Sequence, residues 1–567
     1  MNVRWIAVNA DVRKPLVQSP PAWQDQGMDL DHAACYRVIQ QRDARFDGRF
    51  FTAVKTTGIY CRPVCPARTP ASKNVTFYPS AAAAQEAGYR PCLRCRPETA
   101  PDLGAWRGTS NTVARALALI ELGALDEGNL EALAERLGVG ERQLRRLFRE
   151  HLGASPIGVA QTRRVLLAKQ LIHETQLPLT EIAFASGFSS VRRFNETFRA
   201  LFGRAPGALR RSTGDEGVAA MDGEFNLLLR YQPPYDWQKM WEFLRARAIA
   251  GVESVAEGCY CRTIELASVP GTVSIQPAEG ANALRARIRI AKPSSLPSII
   301  ARLRRVFDLA ADPGAIAAHL GQDPLLAPLL KQRPGLRVPG AWDGFELAIR
   351  AVLGQQISVT AAVGLAVRLV LRYGEPLPKP EPGLTHLFPL PELLARADLT
   401  TLGMPKSRAA TLSAVAAAVL EDPELFSARG DLEDAVRRLR AITGVGEWTA
   451  QYIALRQLRE PDAFPASDVG LLRALSDAHG KRPSAEQMLA RAEPWRPWRA
   501  YAAQHLWLVP NAKLMVSLSK GDEEAPRGSR GEARAEPKEL ERGRGRVPPQ
   551  IRFGAPGKTS HARGDVR

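Results

Sequence analysis

The hydrophobic pattern divides the chain into helical and mixed parts. Apolar residues recur at helical spacing over residues 112–211 and again over 313–510, where Pro and Gly mark the breaks. Between these parts, residues 272–275 and 286–290 alternate apolar with polar positions, as half-buried strands do, and one helical stretch accompanies them. The pattern predicts a multidomain, mostly α-helical protein with an antiparallel-sheet α+β domain in its middle.

Segments without such a pattern flank and separate the predicted domains. Residues 1–27 lack periodicity, and residues 511–567 are rich in Gly, Arg, Glu and Pro with few apolar residues. We therefore expect a disordered lead-in and a disordered, weakly basic tail. Residues 97–108 and 211–223 are predicted linkers. The predicted domains are 28–99, 105–213, 224–312 and 313–510.

The composition favours a polyanionic partner. The chain has 567 residues, a formal net charge of +18 and 45% hydrophobic residues, which suits roughly three to five domains. Basic side chains release the counterions condensed on phosphates, although ribosomal and membrane-surface proteins share this charge. The sequence contains no apolar run long enough to span a bilayer and no signal peptide, so we expect a cytoplasmic protein that does not bind membranes. We also expect a monomer.

Four of the seven cysteines form two short pairs, Cys61 with Cys65 and Cys92 with Cys95. Disulfides are rare in the cytosol, and two such pairs fit the tetrahedral all-thiolate coordination of one zinc ion. Most four-cysteine sites are closed and structural, so the spacing alone favours a zinc that only folds a small α/β domain.

The residues around these cysteines resemble the N-terminal domain of the Ada-type adaptive-response regulators. The resemblance rests on FTAVKTTGIYCRPVCPARTP at 51–70, NVTFYPS at 74–80 and GYRPCLRC at 88–95. It implies that Cys61, held as a thiolate by zinc, accepts a methyl group from a DNA methylphosphotriester. Six basic residues nearby are expected to include phosphate contacts: Arg62, Arg68, Lys73, Arg90, Arg94 and Arg96.

Residues 130–201 contain a helical motif twice. Each copy has two helical stretches joined by a glycine turn and ends in Phe-Arg followed by Gly and Pro; a longer helix is predicted between the copies at 156–175. The doubled motif resembles the AraC-type DNA-binding module. It implies that two recognition helices face the groove with Arg142, Gln143, Arg145, Ser190, Arg192, Arg193 and Asn195. Phosphate contacts or a solvated surface are the alternative for each exposed arginine. The predicted core positions are Leu144, Leu147, Phe148, Val191, Phe194 and Phe198.

In the Ada-type regulators a methyltransferase domain for O6-alkylguanine follows this module. No Pro-Cys-His motif occurs downstream here, so we expect that activity to be missing. Cys259 and Cys261 lie in a strand-like stretch without His, and we predict that they are core cysteines.

The stretch LRAITGVGEWTA at 439–450 predicts a helix, a tight hairpin and a second helix. Gly444 and Gly446 let the backbone approach a phosphate, toward which the first N–H groups of the second helix point. Asp468 follows downstream and, taken alone, could simply cap a helix. Together, hairpin and aspartate are typical of the helix–hairpin–helix glycosylase superfamily.

Further motifs over residues 225–509 resemble the AlkA-type 3-methyladenine DNA glycosylases. They lie at 231–237, 334–340, 353–359, 402–405 and 495–507. The resemblance implies a catalytic Asp468, an aromatic base pocket, a wedge that fills the gap left by a flipped base, and a monovalent cation held by hairpin carbonyls. The implied pocket residues are Phe243, Trp448, Tyr452 and Trp507, the wedge is Gln356-Ile357, and the carbonyls belong to Arg440, Ile442 and Val445.

Two positions depart from that family, which has tyrosine where Val469 stands and leucine where Gln356 stands. The departures bear on substrate range and on the wedge, not on the reaction class. An ordinary core position is the alternative for the aromatic residues, and we favour it for Trp237 and Trp495.

Taken together, the motifs predict DNA alkylation repair coupled to transcription control. The expected reaction is hydrolytic release of bases of the 3-methyladenine type by an all-α helix–hairpin–helix glycosylase, with stoichiometric methyl transfer to Cys61. Glycosylases of this superfamily that also cut the strand use a lysine where Trp448 stands, so a monofunctional enzyme is expected. The expected partners are double-stranded DNA and RNA polymerase. The alternative is a transcription regulator whose glycosylase-like half binds DNA without excising bases.

Overall fold

The computed structural model describes residues 31–101, 111–126, 128–210, 223–427, 429–477 and 479–509. The lead-in predicted for 1–27, the tail predicted for 511–567 and all but the last residue of the linker predicted for 211–223 lie outside the described residues. Among the described residues, no helix is both long enough and apolar enough to cross a membrane.

A small α/β domain begins the described chain, as predicted. Its sheet has the order β3-β1-β2-β4, in which β2 and β4 are parallel and the other neighbours are antiparallel. Asp31 caps the first helix by accepting hydrogen bonds from the backbone N–H groups of Ala33 and Ala34. The elements are α1 (His32–Gln41), β1 (Phe51–Val54), β2 (Ile59–Cys61), β3 (Val75–Tyr78), α2 (Ala81–Glu86) and β4 (Arg90–Pro91).

The prediction that residues 97–108 form a linker is wrong for the first residues of that segment. Pro97, Glu98 and Thr99 form a short 3-10 helix and are buried. The buried Glu98 carboxylate accepts a hydrogen bond of 2.7 Å from Lys169 Nζ, and Lys169 itself is fully buried. The helix that contains Lys169, far along the chain, therefore holds this segment in place. The local composition could not indicate that contact.

The two helix-turn-helix copies form as predicted. Their second helices end in the same way, with Gly153 and Gly203 in the left-handed conformation at φ 67° and 65°. Ser155 caps the long helix between the copies, whose first residue is Pro156. The helices are α3 (Asn111–Glu121), α4 (Leu130–Arg136), α5 (Glu141–Leu152), α6 (Pro156–Glu174), α7 (Leu179–Ala185) and α8 (Val191–Phe202). Four of the six predicted core residues are buried, and Leu147 and Val191 pack partly buried against the core.

An antiparallel five-stranded sheet follows, in the order β5-β9-β8-β7-β6. Both stretches predicted as strands lie in it, one in β8 and one in β9. Two helices accompany the sheet, where the sequence predicted one. The elements are β5 (Glu224–Arg230), α9 (Trp237–Arg245), β6 (Glu253–Ala256), β7 (Cys259–Leu266), β8 (Val269–Pro277), β9 (Ala283–Ile290) and α10 (Leu296–Val306).

Cys259 and Cys261 are not core cysteines, contrary to the prediction. Both are half-exposed on one face of β7, with their Sγ atoms 3.6 Å apart, while Tyr260 between them is buried. Cross-strand pairing places Cys261 beside Ser274, which in turn lies beside Arg287, so these cysteines belong to the polar face of the sheet.

The remaining described residues are mostly helical and share one large apolar core. One departure from the all-α prediction is a two-stranded hairpin, β10 (Pro376–Glu381) with β11 (Leu384–His386). The helices are α11 (Pro313–Leu320), α12 (Ala327–Gln332), α13 (Gly344–Leu353), α14 (Val359–Tyr373), α15 (Pro391–Leu394), α16 (Lys406–Glu421), α17 (Leu432–Arg440), α18 (Glu447–Arg456), α19 (Val469–Ala474), α20 (Ala485–Ala492) and α21 (Arg499–Leu506).

Candidate metal centre and candidate active site

The four predicted cysteines come together. The end of β2 supplies Cys61, the loop after it Cys65, and the segment beginning just after β4 supplies Cys92 and Cys95; their sulfur atoms all lie within 4.8 Å of one another. Backbone N–H groups point at two of them, from Arg62 to Cys95 Sγ and from Arg94 to Cys92 Sγ, each at 3.3 Å. Four converging thiol groups with N–H donors to sulfur fit a tetrahedral zinc ion.

The cluster is open on one side. Cys92 and Cys95 are buried, at 5% and 7% exposure, whereas Cys61 and Cys65 are half-exposed. The residues of the first pair therefore offer more surface to an approaching macromolecule than those of the second.

The basic residues near the cluster fall into two groups. Arg62 donates to Asp47 Oδ1 at 2.8 Å and to the Cys95 carbonyl at 3.1 Å, and Arg96 contacts Glu98 at 3.0 Å and Glu174 at 3.1 Å. Arg62 and Arg96 therefore stabilise the fold through these contacts and are not available to a phosphate in the way that exposed residues are. The others reach solvent: Arg68, Lys73 and Arg94 are exposed, and Arg90 is half-exposed.

The predicted recognition residues lie on the outer surfaces of α5 and α8. Most are exposed, while Ser190 and Asn195 are half-buried. The Ser190 hydroxyl caps α8 by accepting from the Arg193 N–H at 3.2 Å, so it has a structural role within the helix. Arg145 pairs with Glu141, and Arg192 pairs with Glu196 at 2.8 Å. These are exposed pairs one helical turn apart, which bind weakly and can open for DNA.

The predicted hairpin joins α17 to α18. Gly444 adopts φ 85°, and the Val445 N–H donates to the Ile442 carbonyl at 3.0 Å. Gln355, which the sequence analysis did not single out, ties the hairpin to the loop between α13 and α14. Its Nε2 lies 3.2 Å from both the Gly444 carbonyl and Thr449 Oγ1.

The predicted wedge residues lie in that same loop. Gln356 is exposed in the left-handed conformation at φ 57°, and Ile357 beside it is half-buried against the core. Gln355 thus fixes the wedge loop relative to the hairpin. In the sequence, the only signal of this role is that Gln355 precedes Gln356 within the motif at 353–359.

Asp468 caps a helix and also lies at the mouth of an aromatic cleft. Its Oδ1 accepts from the Gly470 N–H at 2.8 Å, from the Leu471 N–H at 3.1 Å and from Trp507 Nε1 at 2.8 Å. Its Oδ2 accepts from Trp448 Nε1 at 2.8 Å. Four N–H donors hold the carboxylate in one orientation between the two indoles.

The four predicted pocket residues form one half-exposed aromatic cluster. Trp448 and Tyr452 stack with ring centroids 5.1 Å apart and ring planes 13° apart. The Arg456 guanidinium carbon lies 4.5 Å from the Phe243 centroid, 5.1 Å from that of Tyr452 and 5.3 Å from that of Trp507. This arginine contacts three of the four rings, and no motif in the sequence indicated it.

A second arginine, Arg247, lies 3.9 Å from the Phe243 centroid. Burial acts to raise the pKa of Tyr452, but the neighbouring Arg456 and Arg247 outweigh burial and hold that pKa below its ordinary value. Trp495 is buried in the core, as predicted, and Trp237 is partly buried and packs on Phe307 against the core. Val469, at the position of the family tyrosine, is 49% exposed.

Four protein families match the chain in succession. They are the metal binding domain of Ada at residues 34–98, a helix-turn-helix domain at 133–212, the AlkA N-terminal domain at 226–343, and the HhH-GPD superfamily of base excision DNA repair proteins at 349–500. The first of these matches identifies the four-cysteine cluster as a zinc site.

Individual relatives match either most of the chain or one part of it. A probable bifunctional transcriptional activator/DNA repair enzyme AlkA of Mycobacterium tuberculosis is 43% identical over 85% of this chain and 97% of its own length. DNA-3-methyladenine glycosylase 2 of Escherichia coli is 38% identical over 49% of this chain and 95% of its own length. The bifunctional transcriptional activator/DNA repair enzyme Ada of E. coli is 34% identical over 29% of this chain and 45% of its own length.

The zinc site, the double helix-turn-helix and the helix–hairpin–helix glycosylase define a DNA alkylation-repair enzyme fused to a transcription-regulator module. The chain belongs to the family of bifunctional transcriptional activator/DNA repair enzymes of the AlkA type.

Proposed function

We propose that the glycosylase half hydrolyses the N-glycosidic bond of alkylated bases, with Asp468 as its catalytic residue. The observation that carries this proposal is the Asp468 carboxylate, which two indoles and a helix N-terminus hold at the aromatic cleft. The alternative, a half that only binds DNA, accounts for Asp468 as a helix cap but not for the two indole N–H groups that hold its carboxylate at the cleft.

The arrangement supports a dissociative reaction. Departure of the base leaves positive charge on the sugar, and a fixed carboxylate stabilises that charge without having to reorient during the reaction. Asp468 also positions the water molecule that attacks the sugar carbon. That water loses a proton to the solvent as its oxygen bonds to the carbon. The stacked Trp448 and Tyr452 rings hold the flipped base beside the carboxylate.

The DNA backbone is proposed to rest on the hairpin. Gly444 and Gly446 are exposed, and α18 begins directly after Gly446, so its first N–H groups are available to a phosphate. A monovalent cation bound by the carbonyls of Arg440, Ile442 and Val445 would add positive charge there.

We further propose that the product is an intact abasic strand. A strand-cutting enzyme needs an amine that forms a Schiff base with the sugar, and Trp448 stands where the related enzymes have that lysine. The sequence contains no lysine between Lys406 and Lys481, so this stretch of the chain offers no other amine for that role.

Borohydride trapping tests this product directly. Methylated duplex DNA is incubated with the protein, and borohydride is added to reduce any Schiff base. We expect free base, no covalent protein–DNA adduct, and strand breaks only after added alkali. An adduct, or nicking without alkali, would contradict the hydrolytic mechanism.

In the zinc domain, we propose that Cys61 accepts one methyl group from a methylphosphotriester. Cys61, Cys65, Cys92 and Cys95 would hold the zinc ion, which would keep Cys61 a thiolate at neutral pH. The Cys61 sulfur attacks the methyl carbon, the carbon–oxygen bond breaks, and the phosphate oxygen leaves with the electron pair as a restored phosphodiester. The half-exposed position of Cys61 gives DNA access, and Arg68, Lys73 and Arg94 are exposed nearby to hold phosphates.

Mass spectrometry of peptides tests this assignment. After incubation with methylated DNA, we expect one added methyl group per chain, on Cys61. Methyl addition to the half-exposed Cys65 instead would overturn the choice of residue.

That the protein is a cytoplasmic monomer and contacts RNA polymerase stays a prediction from the sequence.

A further inference from the structure

The aromatic cleft around Asp468 contains two positive charges, one buried and one half-buried, that the proposed hydrolysis of the N-glycosidic bond does not use. Arg456 is 3% exposed, and Arg247 is half-buried. Their guanidinium carbons lie 4.5 Å and 3.9 Å from the same Phe243 ring centroid. Both arginines therefore contact the rings of the predicted base pocket.

Neither arginine forms an ion pair with a carboxylate among the described residues. Arg456 donates to the Pro339 carbonyl at 2.8 Å and to Gln504 Oε1 at 3.3 Å, and Arg247 donates to the Phe243 carbonyl at 3.4 Å. All of these acceptors are neutral. The positive charges are thus held by packing and neutral oxygens, and little of their field is cancelled locally.

Uncancelled positive charge acts differently on two kinds of damaged base. A base alkylated on a ring nitrogen is a cation before its bond breaks and leaves as a neutral molecule. A damaged base that is neutral leaves with extra negative charge on the departing nitrogen. Nearby guanidinium groups oppose binding of the first and stabilise the departure of the second.

We propose that Arg247 and Arg456 determine specificity by lowering excision of cationic bases relative to neutral damaged bases. The proposal rests on the proposed glycosylase function and concerns the same pocket. Tyr452 stacks on Trp448 and contacts the guanidinium of Arg456, so this positive charge lies next to the rings that are proposed to hold the base. The lowered pKa of Tyr452 agrees with such a field.

Arg247 is the position to test, because Arg456 is buried and bonded to the backbone. Arg247→Met keeps an unbranched side chain against Phe243 and removes the charge, while Arg247→Lys keeps the charge. Single-turnover excision is measured on two duplexes of one sequence, one with cationic 7-methylguanine and one with neutral hypoxanthine. We expect the cationic-to-neutral ratio of rates to rise about tenfold in Arg247→Met and to stay near the wild-type ratio in Arg247→Lys.

The outcomes separate this inference from the proposed function. An unchanged ratio in Arg247→Met, or an equal rise in Arg247→Lys, would overturn the charge effect and leave base excision intact. No release of either base by the wild-type protein would overturn the proposed function, and this inference with it.

A second measurement needs no variant. Excision by the wild-type protein is inhibited with a free neutral purine and with a free purine that carries a permanent positive charge through N-methylation. We expect the neutral purine to inhibit at a concentration about tenfold lower. Equal inhibition, or stronger inhibition by the cation, would contradict the proposal.

Discussion

At the scale of single residues, Asp468 combines two roles that the sequence presented as alternatives. It caps α19 through Gly470 and Leu471, and it also accepts from the indoles of Trp448 and Trp507. The two roles support each other, since the cap fixes the direction in which the carboxylate faces the cleft. The sequence indicated Asp468 and both tryptophans as site residues but not the hydrogen bonds between them, because the three residues are separated along the chain.

Removing one indole donor tests whether orientation of Asp468 matters for excision. Trp507→Phe keeps an aromatic ring in the cleft and deletes the N–H that lies 2.8 Å from Oδ1. Loss of one hydrogen bond to a charged group costs about 2 kcal/mol, so we expect the single-turnover rate to fall at least about tenfold while the protein stays folded. The matched control is Trp237→Phe, which alters a ring packed on Phe307 in the core. Equal rates in Trp507→Phe and wild type would show that this donor is dispensable.

At the scale of secondary structure, the elements with local signals were predicted and those fixed by pairing were not. The two helix-turn-helix copies carry their own caps and turn glycines, and they form where the repeat indicates. The strand β10 contains three prolines within Pro376–Glu381, a composition that argues against a strand. Likewise, only the pairing of β7 with β8 decides that Cys259 and Cys261 lie on the polar face.

The hairpin between α17 and α18 provides a comparison of two glycines. A Cβ at Gly444 would overlap the Thr411 hydroxyl, and φ there is 85°, whereas a Cβ at Gly446 would meet nothing within 4 Å. We expect Gly444→Ala to lower the free energy of unfolding by about 2 kcal/mol or more and to weaken binding to duplex DNA. Gly446→Ala should change the stability by less than about 1 kcal/mol.

Chemical denaturation and a DNA-binding titration measure both effects. Unchanged stability in Gly444→Ala would contradict the close approach of Thr411. Equal losses of stability in the two variants would show that the hairpin conformation, rather than that contact, sets the requirement for glycine.

At the scale of the whole molecule, the regulatory half and the glycosylase half share structure. The apolar core of the second helix-turn-helix copy is continuous with that of the five-stranded sheet domain. Arg115 of α3 forms a buried ion pair of 2.7 Å with Glu460, which follows α18 in the glycosylase half. Sequence patterns delimit each domain but contain no signal of such contacts, because the partners are far apart along the chain.

The central claim is that one chain performs two separate reactions on alkylated DNA. The direct test uses the full-length wild-type protein, Asp468→Asn and Cys61→Ala on the same methylated duplex, with chromatography of released bases and mass spectrometry of the protein. We predict that Asp468→Asn loses base release by about 100-fold or more, because its side chain has no negative charge, and still gains a methyl group on Cys61. Cys61→Ala should release bases at the wild-type rate and gain no methyl group at that position. Full base release by Asp468→Asn, or methylation of Cys61→Ala equal to that of the wild type, would contradict the account.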